Sequence, residues 1–224
     1  METPLILLVL ANFAFVALHF LMSHPLRVPM VSLLGEMGFQ IVYSAVIIAT
    51  LAGVYFAFIQ SPEADLSGTG QVGWAIASVI TIPAMVLFTG SLIGNPAMAS
   101  PGAEKNARAA PKGVFTITRH PMMWSFALWA LAHIALHWSW RTTITATAVG
   151  VLALVGSRLQ DGKKRELMGE AWMQWEANTS FWPKLRGFAK AGALPWSAGL
   201  ILFVFLTWLH MPIGGIPAGI WRWF

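Results

Sequence analysis

The sequence contains no cysteine, and charged residues make up only 10% of its 224 residues. Without cysteine, disulfides, thiolate metal sites and thiol catalysis are excluded. The chain also has no glycine-rich phosphate-binding loop and no Ser/His/Asp triad pattern. Apolar residues dominate instead: 57% of the chain is hydrophobic, and its mean hydropathy is +0.65. This composition predicts an integral membrane protein in contact with the lipid bilayer.

Six apolar runs are candidate membrane spans, since about 17 to 25 apolar residues cross the hydrocarbon core as a helix. The fourth and fifth runs are the shortest. The first run lacks a basic leader and a small-residue cleavage site, so we expect it to be retained. The predicted fold is a single all-α domain, residues 1–224, built as a polytopic membrane helix bundle with about six transmembrane helices and a cytoplasmic amphipathic helix. The predicted spans are residues 4–22, 38–59, 71–93, 122–138, 142–158 and 196–213.

The net charge of +5 is divided unevenly between the two faces of these spans. Basic residues cluster in or beside the first, third and fifth loops, whereas only Arg141 and Arg222 fall on the other face. The positive-inside rule therefore predicts that these three loops are cytoplasmic and that the N-terminus and the C-terminus lie outside. The charge indicates topology, and nucleic acid is not an expected partner. The clustered residues are Arg27, Lys105, Arg108, Lys112, Arg119, Arg158, Lys163, Lys164, Arg165, Lys184, Arg186 and Lys190.

Two predicted cytoplasmic segments separate the spans. Residues 95–115 are rich in Pro, Ala and Gly, which predicts a loop with at most a short helix. In the first half of residues 161–186, apolar residues recur at helical spacing against charged ones, which predicts an amphipathic helix at the interface that ends before Trp182 and Pro183. The apolar residues of that helix are Leu167, Met168, Ala171, Trp172 and Trp175.

The six histidines are the main candidates for chemistry. His24, His137 and His210 lie near predicted span ends, where an imidazole can keep its polar tip in water. His19 and His133 lie inside predicted spans, where an ionisable group usually faces the bundle interior, a partner or a pathway. One interpretation is a neutral imidazole hydrogen-bonded to a neighbouring helix. The other is that the two histidines are axial ligands of a haem iron inside the bundle.

The predicted depths of these two histidines differ. At about 1.5 Å of rise per residue, His133 lies roughly 17 Å from the start of its span, whereas His19 lies roughly 5 Å from the cytoplasmic end of its own. A tilted haem or tilted helices must then absorb an offset on the order of 10 Å. His120 is the substitute ligand if His133 is too deep.

The tripeptide Arg119-His120-Pro121 precedes the fourth span and predicts a helix start, because proline is well tolerated in the first turn. The free N–H groups of that turn, together with Arg119, suit a carboxylate or phosphate group of a cofactor. The alternative is an interfacial Arg and His that simply flank a span.

Several of these motifs carry a family resemblance. The segments "ALHFLMSHPLR", "LGEMGFQIVYSAVIIATL" and "TRHPMMWSFALWALAHI", followed by Asp161 and "GEAWMQWEANTSFWP", resemble the NnrU family of bacterial membrane proteins. The resemblance covers most of the chain, from about His19 to Pro183. It implies a protein of the bacterial inner membrane that accompanies denitrification and nitric-oxide metabolism.

Relatives of that family include the 15-cis-zeta-carotene isomerase, a membrane enzyme that uses haem b with histidine ligands. The resemblance carries its "RHP" start onto His120 and its "LAH" histidine onto His133. Its other ligand most nearly matches His19, with His24 as the alternative. The isomerase has a cysteine three residues before the "LAH" histidine, where this chain has Ala130. A thiol-dependent ligand exchange is therefore not expected here, whereas haem binding is.

A more distant resemblance links "RHPMM" and "GEAWMQW" to isoprenylcysteine carboxyl methyltransferases. It implies S-adenosylmethionine as an alternative cofactor, with its carboxylate on Arg119. Three further hypotheses stand beside it: a haem-b protein of the NnrU type, a haem-dependent cis/trans isomerase of a lipid-soluble polyene, and a non-enzymatic partner of a respiratory complex. A shared motif supports a shared fold more safely than a shared reaction.

Overall fold

A computed structural model describes residues 3–98 and 100–224 of the chain. Within these residues the fold consists of α-helices and short 3-10 helices, with no β-strand. The prediction of an all-α helix bundle is confirmed. The α-helices are α1 (Thr3–Ser23), α2 (Arg27–Ile59), α3 (Gly70–Gly90), α4 (Ala103–Arg108), α5 (Pro121–Leu136), α6 (Trp140–Met168), α7 (Glu170–Asn178) and α8 (Ala193–Gly214). The 3-10 helices are Gly113–Thr116, Leu185–Lys190 and Gly219–Arg222.

Helices α1, α2, α3, α6 and α8 are each long and apolar enough to cross a membrane. Helix α5 has 16 residues, and at about 1.5 Å per residue it is roughly 24 Å long, less than the hydrocarbon core of about 30 Å. The chain therefore has a helix at each of the six predicted positions, and the fourth of them is a shorter apolar helix. These helices indicate a multi-pass membrane protein.

Packing contacts connect the long helices in the order α2, α1, α6, α5, α3 and α8. The approach of α3 and α8 depends on Gly199, because a Cβ atom at this position would lie 2.8 Å from the backbone nitrogen of Val86. Small residues permit such close helix approach in a bilayer, where van der Waals packing drives association. Helices α3, α5 and α8 consequently form one packed group.

Helix α2 begins well before the predicted span of residues 38–59. Gly35 has φ 71° and ψ 168°, which are not helical values, so it breaks the helix. Residues 27–34, before the break, form a separate short helix. Arg27 and Glu36 form an ion pair of 2.9 Å across this break. The apolar span that follows Gly35 is the one the sequence predicts.

Helix α6 runs ten residues beyond the predicted end of the fifth span and stops at Gly169, whose φ of 51° ends the helix. Helix α7 then buries Ala171, Trp172 and Trp175 on one face. The predicted amphipathic helix is confirmed in α7. The prediction is wrong for Leu167, which is 56% exposed, because the chain turns at Gly169 and the two helices do not share one apolar face.

The segment between α3 and α5 forms a packed cap at one end of the bundle. It contains the predicted short helix as α4, and Ala99 of this segment lies outside the described residues. Phe115 and Trp175 meet edge to face with ring centroids 5.5 Å apart. Trp172 is fully buried in the same hydrophobic cluster. This cluster fixes α7 against the start of α5, where the first candidate site lies.

Candidate functional site

The local sequence determines where α5 begins. Pro121 is the first residue of the helix and His120 is its N-cap, with φ −119° and ψ 57°. The missing N–H of proline costs nothing at this position, since the first N–H groups of a helix have no intrahelical acceptor. The predicted helix start is confirmed. The chain turns here so that Arg119 and His120 both face α6.

Asp161 of α6 lies between these two side chains. Its carboxylate accepts hydrogen bonds from Arg119 Nε at 3.1 Å and from Arg119 Nη2 at 2.6 Å. His120 Nε2 lies 2.8 Å from Asp161 Oδ1. The side chains of His120 and Asp161 are 0% and 5% exposed. A bidentate Arg–carboxylate pair of this kind is among the stronger polar contacts in proteins. Arg119, His120 and Asp161 are called the RHP cluster below.

The polypeptide after α7 encloses the RHP cluster. Arg119 N donates to Ser180 O at 2.8 Å, and Trp124 Nε1 donates to Phe181 O at 2.8 Å. The Phe181 ring lies beneath the Arg119 guanidinium at 5.4 Å, a cation–π contact. Glu176 adds a second acidic side chain, 3.6 Å from Arg119. The cluster therefore joins α5, α6 and the segment after α7.

The anionic group that Arg119 faces in this structure is part of the protein itself. The guanidinium of Arg119 does face a carboxylate, and that carboxylate belongs to Asp161 of the same chain. The S-adenosylmethionine alternative requires Arg119 to face the cofactor, and this structure engages it with Asp161 and Glu176 instead. Binding of an external group by Arg119 and His120 stays a prediction. The contacts found favour a role in holding helices together.

A second candidate site is a cavity of about 440 Å³ between α3, α5, α6 and α8. His133 of α5 and His210 of α8 both line it. Their ring centroids lie 6.4 Å apart, with the ring planes 28° from parallel. We call this the imidazole cavity. Of the site residues predicted from the sequence, this cavity contains His133, and the ring of His210 lies beside it.

The backbone fixes the orientation of both imidazoles. His133 Nδ1 lies 2.8 Å from Trp129 O, and His210 Nδ1 lies 2.7 Å from Leu206 O. Because a carbonyl oxygen only accepts, each Nδ1 carries the hydrogen and donates it. In the neutral ring the lone pair is then on Nε2. A histidine held through one nitrogen by a carbonyl and free at the other is the usual arrangement of a metal ligand.

The rest of the cavity wall is mainly apolar, with a few polar side chains. Trp74, Met85 and Phe203 supply apolar surface from α3 and α8. Arg141, at the start of α6, and Glu63, in the loop between α2 and α3, also lie on the wall. Ligand sites commonly have a volume of about 300 to 1,000 Å³, apolar walls and a few polar groups. The imidazole cavity has each of these properties.

His19 lies elsewhere in the bundle. It belongs to α1, its Nδ1 lies 3.0 Å from Phe15 O, and its ring meets Tyr43 of α2 at a centroid distance of 5.9 Å. It is not among the residues that line the imidazole cavity. The structure thus gives His19 and His133 different neighbours, and their joint role as ligands stays a prediction. Among the described residues, no group of three or more His, Cys, Asp or Glu side chains is placed to hold a metal.

Sequence reasoning assigned His210 to the interface because of its position near a span end; the structure leaves the residue exposed, and its neighbour His133 was not foreseen. One signal could have indicated it. His133 and His210 lie near the C-terminal ends of α5 and α8, and both helices are predicted to start on the cytoplasmic side. Two histidines at similar depth on helices of the same direction can meet if the helices are close.

The fold and these sites define the class of this protein: a multi-pass helical membrane protein with a buried ion-pair cluster at the start of α5 and an imidazole-lined cavity near the end of that helix. The family model described as NnrU protein matches residues 7–218. The chain therefore belongs to the NnrU family, as the motifs predict. No curated protein and no solved structure matches the chain.

Proposed function

We propose that this protein binds haem b in the imidazole cavity, where His133 and His210 would hold the iron. The observation that carries the proposal is the pair itself: two imidazoles from different helices, 6.4 Å apart, on the wall of one cavity. Both have Nδ1 engaged by a backbone carbonyl. Two histidines on facing helices are a recurrent way of holding haem in a bundle.

The residues present fit such a group. His133 and His210 would hold the iron through Nε2, the nitrogen of each ring that no backbone carbonyl engages. The apolar wall from Trp74, Met85 and Phe203 suits a porphyrin face. Bound haem would supply a redox-active iron whose potential depends on these ligands and on the surrounding polarity. The role of the protein is to orient both imidazoles through Trp129 O and Leu206 O and to keep the iron in an apolar site.

The test of binding uses the full-length protein. It is expressed in a haem-sufficient host and purified in detergent, and a reduced-minus-oxidised spectrum is recorded. We expect a b-type signal that rises to one haem per chain when haem is added. The absence of any b-type signal, both as purified and after addition of haem, would overturn the proposal.

The same cavity supports a second candidate function, in which a lipid-soluble polyene is isomerised next to the haem. Its support is the mainly apolar wall of the imidazole cavity. In cells that accumulate 15-cis-zeta-carotene, expression of the protein should lower the ratio of the cis to the trans isomer. An unchanged ratio, with haem-loaded protein present in the membrane, would contradict this function.

We further propose, from membership of the NnrU family, that the protein acts beside nitric-oxide metabolism in the bacterial inner membrane. A deletion strain that respires nitrite should then release more nitric oxide than its parent. If the lost function is assembly of a respiratory complex, the amount of that complex should fall in the same strain. Normal nitric-oxide release together with normal assembly would argue against both roles.

A further inference from the structure

Arg141 is a charged side chain on the wall of the imidazole cavity. It is the second residue of α6, follows the N-cap Ser139 and is only 8% exposed. Its guanidinium lies 4.6 Å from the centroid of the Phe58 ring, which is part of the same wall. A buried cation beside an apolar cavity is costly unless its charge is compensated.

The N–H groups of this guanidinium are incompletely satisfied. Arg141 Nη1 donates to Ser61 O at 3.1 Å. Arg141 Nη2 lies 3.5 Å from Glu63 Oε1, and the Glu63 side chain is 74% exposed. Arg141 Nε is buried and has no hydrogen-bond partner in the described structure. The charge of Arg141 is thus only weakly compensated by a solvated carboxylate.

Arg119 is a largely buried arginine of the same chain whose positive charge is fully compensated. Its guanidinium makes a bidentate contact to Asp161, which is 5% exposed, and Nε is one of the donors. Arg141 is buried to a similar extent, yet its Nε has no hydrogen-bond acceptor. The difference is that Arg141 lines a cavity and Arg119 is enclosed by protein.

We propose that Arg141 binds the carboxylate of an amphipathic ligand whose apolar body lies in the imidazole cavity along Trp74, Met85 and Phe203. The carboxylate would take the place of Glu63 at Nη2 of Arg141, where the present contact is 3.5 Å long, and Glu63 would move toward solvent. The first turn of α6 adds a favourable dipole for an anion. Two sources share this chemistry: a propionate of haem and the carboxylate of a fatty acid. The inference rests on the cavity of the proposed function and specifies what that cavity recognises.

The test compares acids with their esters, so that wild-type protein alone can decide it. The protein is reconstituted in nanodiscs and titrated with haem b and haem b dimethyl ester, and with the fluorescent fatty acid cis-parinaric acid and its methyl ester. We expect at least one acid to bind about tenfold to a hundredfold more tightly than its ester, because charge-assisted hydrogen bonds to Arg141 are lost with the ester.

Arg141→Gln should lower the affinity for that acid by a similar factor and leave the affinity for its ester unchanged. Arg158→Gln is the matched control, because Arg158 also lies over an aromatic ring, that of Phe181 at 4.7 Å, and neither residue lines the cavity. It should leave all four affinities unchanged.

The outcomes separate the two proposals. Arg141-dependent binding of the fatty acid without any haem binding would overturn the haem proposal and leave this inference standing. Equal binding of each acid and its ester by the wild-type protein would overturn this inference even if haem binds. Binding of none of the four compounds would contradict both.

Discussion

The imidazole rings of His133 and His210 lie 6.4 Å apart on two different helices, although 76 residues separate them in the sequence. Each ring is oriented by the carbonyl oxygen four residues earlier in its own helix. The pair exists because α5 and α8 both pack against α3. The contact of α3 with α8 therefore controls the geometry of the cavity.

Asp161→Asn should destabilise the protein by about 3 kcal/mol, because it removes the bidentate counter-charge of the largely buried Arg119 and leaves only the longer contact to Glu176 at 3.6 Å. For a chain of this size the thermal midpoint should fall by roughly 6 to 12 °C. The measurement is thermal unfolding in one detergent, followed by intrinsic tryptophan fluorescence.

Glu104→Gln is the control for that experiment. Glu104 and Arg108 form an ion pair of 2.9 Å in which both side chains are about half exposed, and exposed pairs contribute little to stability. A midpoint for Asp161→Asn that equals the one for Glu104→Gln would show that the RHP cluster does not hold the helices together.

Gly199→Ala should force α3 and α8 apart, since the added Cβ would lie 2.8 Å from Val86 N and 2.9 Å from Val86 Cα. Overpacking of this kind typically costs about 1 to 3 kcal/mol. The variant should show a lower thermal midpoint and weaker haem binding, both measured on purified protein.

Gly53→Ala in α2 is the matched control for Gly199→Ala, because no atom would lie within 4 Å of its Cβ. Alanine is a better helix former than glycine by about 0.5 to 1 kcal/mol. The control should therefore be neutral or slightly stabilising. Equal effects of the two substitutions would contradict the close packing of α3 on α8.

The predicted topology can be tested directly because the chain has no cysteine. Ser67→Cys, in the exposed loop between α2 and α3, should react with a membrane-impermeant maleimide added outside intact cells. Ala110→Cys, in the exposed part of the segment after α4, should react only after the membrane is opened. The reverse labelling pattern would show that the chain is inserted with the opposite orientation.

The helices themselves could be predicted from local sequence. Hydropathy located all six apolar helices, and Pro121 marked the start of α5. The end of α6 at Gly169 had a local signal too, because glycine commonly ends helices. That signal was missed, and Leu167 was therefore assigned to the wrong face.

The site depended on helix neighbours, which local sequence does not specify. Asp161 lies 42 residues from Arg119, and only the packing of α5 on α6 brings them together. His210 was judged by its depth alone, so its partner in α5 was not foreseen. Arg141 was counted as a charge on the less basic face, and its position on a cavity wall followed from the bundle.

The most direct test of the central claim is the absorption spectrum of the oxidised, haem-loaded protein in the wild type and in four single variants. We predict a low-spin, six-coordinate haem in the wild type that becomes high-spin or is lost in His133→Ala and in His210→Ala, while His19→Ala is unchanged. His137→Asn is the control variant, because His137 has a left-handed φ of 49° that asparagine tolerates. Size-exclusion profiles check that each variant is folded. A spectrum unchanged in His210→Ala but lost in His19→Ala would contradict the assignment of His210 as a ligand.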